Sequence, residues 1–139
     1  MKYFAYGSNM LEERLKSPKR VPGAVFQATG CVQGYILLFH KRSRDGSGKC
    51  NIVKTGSARD VVYGVVFEVP DNQLEALNIA EGVGCGYHCD YDIPVRLANG
   101  TEMLMLKYVA DTNAIDDTFI PYVWYHRLVI AGAEQHRLP

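Results

Sequence analysis

Apolar positions along the chain fall in short alternating or continuous runs, broken at close intervals by Gly, Pro and Asn. Residues 2–6 predict a strand that stops abruptly at Gly7-Ser8-Asn9. Asn9 followed by Glu12 fits a capping box, which predicts a short helix over 10–16. SPKRVP (17–22) is a breaker loop. Residues 24–29 and 31–40 predict strands punctuated by Gly30 and Gly34, and 41–49 a polar loop. Strands follow over 51–55 and 61–69, and the second is apolar on both faces, as a central strand would be.

Pro70-Asp71-Asn72 predicts the start of a helix that runs to about Ala80 and stops at Gly82, with Asn72 and Glu75 capping it reciprocally. Residues 87–97 predict one strand. Cys89, Tyr91, Ile93, Val95 and Leu97 share one face, and Asp90, Asp92 and Arg96 the other. Pro94 marks an edge or a bulge in it. Asn99-Gly100 signals a hairpin, with 102–110 as the return strand. Pro121 opens a helix over 120–133 that carries Tyr122, Tyr125, Leu128 and Val129 on one stripe. Strands dominate, and the helices are too few to cover both faces of a parallel sheet. The pattern predicts one α+β domain over 1–139 with a closed or strongly curved sheet.

Composition narrows the function. Lys+Arg and Asp+Glu are both 15, so the formal net charge is zero, which argues against a nucleic-acid or anionic-membrane partner. No apolar stretch approaches the 18 or so residues a membrane span needs. The N-terminal run is broken by Gly7 and does not read as a secretory signal. Cys31, Cys50, Cys85 and Cys89 are therefore expected as free thiols in a reducing, cytoplasmic setting.

Glu81 is the leading candidate for chemistry. A carboxylate is unfavourable at a helix C-terminus, and this one follows Leu74 and Leu77 at helical spacing, on their inward face. Burial and the helix end would both raise its pKa, as a general base working near neutrality requires. The plain alternative is a glutamate that reaches back to water beside its cap. The Gly7-Ser8-Asn9 turn offers free backbone N–H groups to an oxyanion, or is only a turn. Ser8 lacks a nucleophile elbow. DGSGKC (45–50) fails the phosphate-loop pattern at Ser43 and Cys50, although Arg42 and Arg44 of that loop could reach an acidic ligand. Cys85, His88 and Cys89 lack zinc-site spacing, so no metal is expected. Tyr87, Tyr108, Tyr122 and Tyr125 are core aromatics, one or two of which could donate a hydrogen bond into a site.

FAYGSNM, VYGVVFEV, LNIAEGVGCGYH and YHRLVIAGAEQHRLP occur in the order found in the gamma-glutamylcyclotransferase family, and the resemblance covers nearly the whole chain. It implies a small mixed, barrel-like β-sheet flanked by a few short helices, with a cavity at its mouth. It implies Glu81 as catalytic acid/base, and a pocket lined by Tyr6, Gly7, Ser8, Asn9, Tyr87 and Tyr125. The implied activity is release of 5-oxoproline from a small γ-glutamyl amino acid or γ-glutamyl amine, without a cofactor, within glutathione metabolism. A homodimer is left open. A non-catalytic ligand-binding relative and a γ-glutamyl hydrolase or acyltransferase are the alternatives. The chain departs from the family pattern in the glycine-rich GVGCGY and in ending at Pro139, where many relatives continue for another helical turn. A pocket wall supplied by other means is the expectation there.

Overall fold

A computed structural model describes all 139 residues. Nine strands are present: β1 (Lys2–Ala5), β2 (Val25–Gln33), β3 (Tyr35–Arg42), β4 (Gly48–Lys54), β5 (Val61–Glu68), β6 (Tyr87–Asp90), β7 (Pro94–Leu97), β8 (Glu102–Leu104) and β9 (Lys107–Ala110). The helices are α1 (Glu12–Leu15), α2 (Leu74–Glu81) and α3 (Val123–Gln135), with 3₁₀ turns at Ser8–Met10, Asp71–Gln73 and Thr112–Ala114. The α+β reading holds. A five-stranded sheet runs in the order β1-β5-β2-β7-β8, and β3-β4 and β6-β9 form two further ribbons. The strand pairs are antiparallel, while a parallel bridge from Tyr3 to Leu106 joins β1 to the start of β9. The sheet thereby curls into a half-barrel around one core.

β5 is central as its composition predicts. It lies between β1 and β2 with Val62, Val65, Val66 and Phe67 buried. Other boundaries move. Gly30 does not interrupt β2, because it sits in register between β5 and β7; the break falls at Gly34, where φ is +85° and the chain passes to another ribbon. The single strand expected over 87–97 is two. β6 pairs with β9, and β7 pairs with β2 and β8. Its return strand divides in the same way, into β8 and β9. The hairpin thus bends from one sheet into the other. Strand alternation cannot announce such a corner, since it continues on both sides; only Pro94 hinted at it.

The corner is held by Lys107, which is 0% exposed. Its ammonium donates to the carbonyls of Ile93 at 2.7 Å and Met105 at 2.9 Å, with Asp90 at 3.5 Å. Those carbonyls lie beside the breaks between β6 and β7 and between β8 and β9. All three donors of the buried charge have an oxygen partner, and Asp90 offsets in part the burial that lowers the ammonium's pKa.

Neither expected capping box forms: no side-chain cap bond is made at the start of α1 or α2. Asn9 has a different employment, described below. α3 begins at Val123 rather than 120; Tyr125 and Val129 are buried, while Tyr122 is exposed and donates to the Asp45 carbonyl at 2.6 Å. That bond, with Gly48 N–H to Ile120 O at 2.7 Å, ties the start of α3 to the β3–β4 turn.

Candidate active site

α2 ends on Glu81 because Gly82 takes the left-handed conformation, φ 74° and ψ 41°, which a side chain disfavours. The Gly82 and Val83 N–H groups cap the Ile79 and Asn78 carbonyls at 3.0 Å each. The Glu81 side chain is thereby aimed at the end of β1. Tyr3 Oη donates to Glu81 Oε1 at 2.9 Å, and Asn9 Nδ2 donates to the same oxygen. Arg20 Nη1 donates to Asn9 Oδ1 at 3.2 Å, which fixes the amide so that its NH₂ faces the carboxylate. Both donors converge on Oε1, and Oε2 accepts no hydrogen bond.

Burial of the carboxyl group is the largest influence on Glu81 and raises its pKa; the Tyr3 bond, the Arg20 and Arg14 charges and the Asn9 bond pull it back only in part. Glu81 is thus half-buried, and its pKa moves in the direction expected from the sequence. Its support by Tyr3, Arg14 and Arg20 was not legible in the sequence. Tyr3 sat within an ordinary strand, and the arginines within a helix and a breaker loop. Asn9, in contrast, had an evident local reading as a cap, and that reading was misleading.

A niche of about 40 Å³ surrounds this carboxyl group, lined by Tyr3, Tyr6, Gly7, Ser8, Asn9, Cys50, Tyr87, Tyr108 and Tyr125 among others. Every pocket residue named from the sequence is therefore brought together. Gly7 makes room: a Cβ there would meet Cys50 Cβ at 3.2 Å and Tyr125 Oη at 3.4 Å. No main-chain acceptor is paired with the N–H groups of Gly7, Ser8 or Asn9. They stand free at the first turn, as an oxyanion would require.

The tyrosine protons divide the roles further. Tyr3 donates to Glu81, Tyr6 to the Tyr108 carbonyl, Tyr87 to the Cys50 carbonyl and Tyr108 to Asn78 Oδ1. Tyr125 differs, because its oxygen accepts the Cys50 N–H at 3.1 Å. Its own proton has the Cys50 thiol for a neighbour, a weak acceptor. Tyr125 is thus the cavity tyrosine best able to donate to a bound oxygen. Burial pushes the Cys50 thiol up to about 12, so it is no nucleophile at neutral pH.

The niche adjoins an outer cleft of about 510 Å³, sharing Ser8, Glu81, Tyr87 and Tyr125 with it. That is the volume of a small-molecule site. Five cations line the cleft, namely Arg14, Arg20, Lys41, Arg44 and Lys49, against the single carboxylate of Glu81. Arg44 reaches the cleft, as the loop's basic character suggested; Arg42 turns instead to the Asn113 carbonyl. No group of three or more His, Cys, Asp and Glu side chains is placed to hold a metal ion. His88 pairs with Asp111, and the Cys89 thiol faces Asn78. The C-terminal residues Arg137 to Pro139 line a separate depression together with Gly30, Tyr63 and Leu97, and line neither the niche nor the cleft.

The AIG2-like family matches residues 61–139, which include Glu81, Tyr87, Tyr108 and Tyr125 of the niche. Gamma-glutamylcyclotransferase from Bos taurus is 32% identical over 141 residues, covering 99% of this chain and 72% of its own length. The Homo sapiens protein of the same name is 31% identical with the same coverage. A solved structure of a gamma-glutamyl cyclotransferase superposes with a TM-score of 0.83 at 29% identity, covering 100% of this chain and 81% of the other. The chain belongs to the gamma-glutamylcyclotransferase family and is an enzyme of that class.

Proposed function

We propose that the enzyme closes the γ-glutamyl group of a γ-glutamyl amino acid or γ-glutamyl amine into 5-oxoproline and releases the amine. The observation that carries this reading is the Glu81 carboxyl group, which lines the niche, gripped by two donors on Oε1 and with no hydrogen-bond partner on Oε2. The substrate's α-ammonium gives a proton to Oε2 and becomes a nucleophile. Its nitrogen attacks the γ-carbonyl carbon within the same molecule, so the site supplies a folded conformer rather than a second reactant. The oxygen that becomes anionic meets the Gly7–Asn9 N–H groups and the Tyr125 hydroxyl. Glu81 then returns the proton to the departing nitrogen as the amide bond breaks, takes the second proton that the ring nitrogen sheds, and passes it to the released amine, which leaves as an ammonium. Lactam and free amine account for every atom, and no water or enzyme nucleophile enters.

The raised pKa suits both halves of this proton traffic, since a carboxyl group poised nearer neutrality gives the proton back as readily as it takes it. The four free cysteines support a reducing, cytoplasmic setting. The test is product analysis. Wild type and Glu81→Gln are incubated with γ-glutamyl amino acids, γ-glutamyl amines and glutathione, and 5-oxoproline and glutamate are quantified by mass spectrometry. Wild type is expected to release 5-oxoproline from at least one compound, and Glu81→Gln to lose roughly 10²–10⁴-fold in rate. Free glutamate in its place would make the protein a hydrolase. An undiminished rate in Glu81→Gln would remove the glutamate from the chemistry.

A further inference from the structure

Two buried lysines in this chain are held in opposite ways. Lys107 has three oxygen partners and closes a corner of the sheet. Lys41 is 7% exposed, and its one hydrogen bond is a long one, 3.4 Å to the Cys85 carbonyl. Its ammonium lies 4.5 Å from the Tyr87 ring centroid and has no carboxylate partner. An ammonium has three donors, so two of these have no oxygen partner, and Lys41 lines the cleft. Burial lowers its pKa, as it does that of Lys107, so the two lysines differ in their hydrogen bonds: three oxygen partners there, one distant carbonyl here. The fold nevertheless makes room for it. Gly86 adopts φ +114°, and a Cβ there would meet Lys41 Cε at 2.7 Å and Nζ at 3.0 Å.

Four of the five cleft cations form two groups about Glu81, while Lys49 pairs with Asp45. Arg14 and Arg20 bind Ser8 and Asn9 of the turn beneath the reacting atoms. Lys41 and Arg44 come from β3 and the loop after it, and both contact Cys85. A γ-glutamyl amino acid carries one carboxylate on each side of the amide that breaks. A γ-glutamyl amine carries one only. With the glutamyl carboxylate on the side of the turn, the second cation group has an anion to bind only in the amino-acid substrate.

We propose that Lys41, supported by Arg44, is the specificity-determining residue that binds the carboxylate of the leaving amino acid. This rests on the cyclotransferase reading above. The test compares γ-glutamylalanine with γ-glutamylethylamide, the same molecule without that carboxylate, by release of 5-oxoproline. Wild type is expected to prefer γ-glutamylalanine by about 10-fold or more in kcat/KM. Lys41→Met is expected to lose about 10- to 100-fold on γ-glutamylalanine, mostly in KM, and less than about threefold on γ-glutamylethylamide, the scale of one charge-assisted hydrogen bond. Its melting temperature is expected to stay level or rise, because a poorly compensated buried charge is removed. Arg44→Met, a change on an exposed loop, is expected to reduce the same preference by a smaller factor. Equal wild-type kcat/KM on the two compounds would overturn the inference alone, as would equal losses on both in Lys41→Met. If Lys41→Met does not fold, an undiminished preference in Arg44→Met overturns it. No 5-oxoproline from either compound would overturn the cyclotransferase reading, and the inference with it.

Discussion

Tyr3 sets the working range of Glu81 through a single hydrogen bond. That bond favours the carboxylate, so it opposes the rise that burial produces. Tyr3→Phe is expected to move the acid limb of the pH–kcat/KM profile to higher pH, with the plateau rate altered less than the midpoint; a pH–rate series reads both. Glu81 also couples to folding. Its folded pKa lies above its unfolded value, so over the interval between them the folded chain holds the proton more often. Stability therefore falls as pH rises through that interval. Glu81→Gln cannot ionise and is expected to melt higher than wild type at neutral pH. The advantage should vanish below the ordinary glutamate pKa of about 4.3, where wild type is protonated in both states. Thermal melts across pH 3–8 give the answer. Tyr125→Phe removes the unshared hydroxyl proton and is expected to lower kcat by roughly 10²-fold, as the loss of one oxyanion donor does, with KM nearly unchanged.

At the scale of elements, α2 matters through its last residue, and its last residue through Gly82. An alanine at φ 74° costs about 1 kcal/mol and loosens the aim of Glu81. Gly82→Ala is expected to lower the melting temperature by about 3 °C and to reduce kcat more than KM. Here the sequence was informative, because a glutamate before a glycine at the end of an apolar helical stripe is a local pattern. The hairpin over 87–110 was legible in its turn and in its alternation, yet not in its division between two sheets. That division depends on Lys107 finding the Ile93 and Met105 carbonyls, partners that no spacing rule would pair with it. Asn9 failed for a similar reason. Its cap reading was local, while its actual acceptor is 72 residues away.

For the whole molecule, a net charge of zero hides an uneven distribution. Five cations gather at one cleft, so the chain steers anions to it without being basic overall. kcat/KM for an anionic γ-glutamyl substrate is expected to fall as salt rises from about 0.01 to 0.5 M, while kcat holds, because the Debye length shrinks from about 30 Å to a few ångströms. Steady-state kinetics in a salt series measure this. Composition gives the net charge, but it cannot say where the charges lie. That needs the curl of the sheet, which brings β3, α1 and α2 to one mouth.

The bent hairpin has a consequence for how the molecule opens. β6 and β9 carry Tyr87 and Tyr108 of the niche, and their continuations β7 and β8 are stitched into the five-stranded sheet. A ribbon that belongs to two sheets cannot fray from one while the other stays intact. Amide protons of Cys89 and Tyr108 should accordingly exchange with deuterium only through the same global event that releases those of β5. The wall of the niche is then as long-lived as the core itself, and substrate must enter past the cationic loop instead of through a breathing sheet.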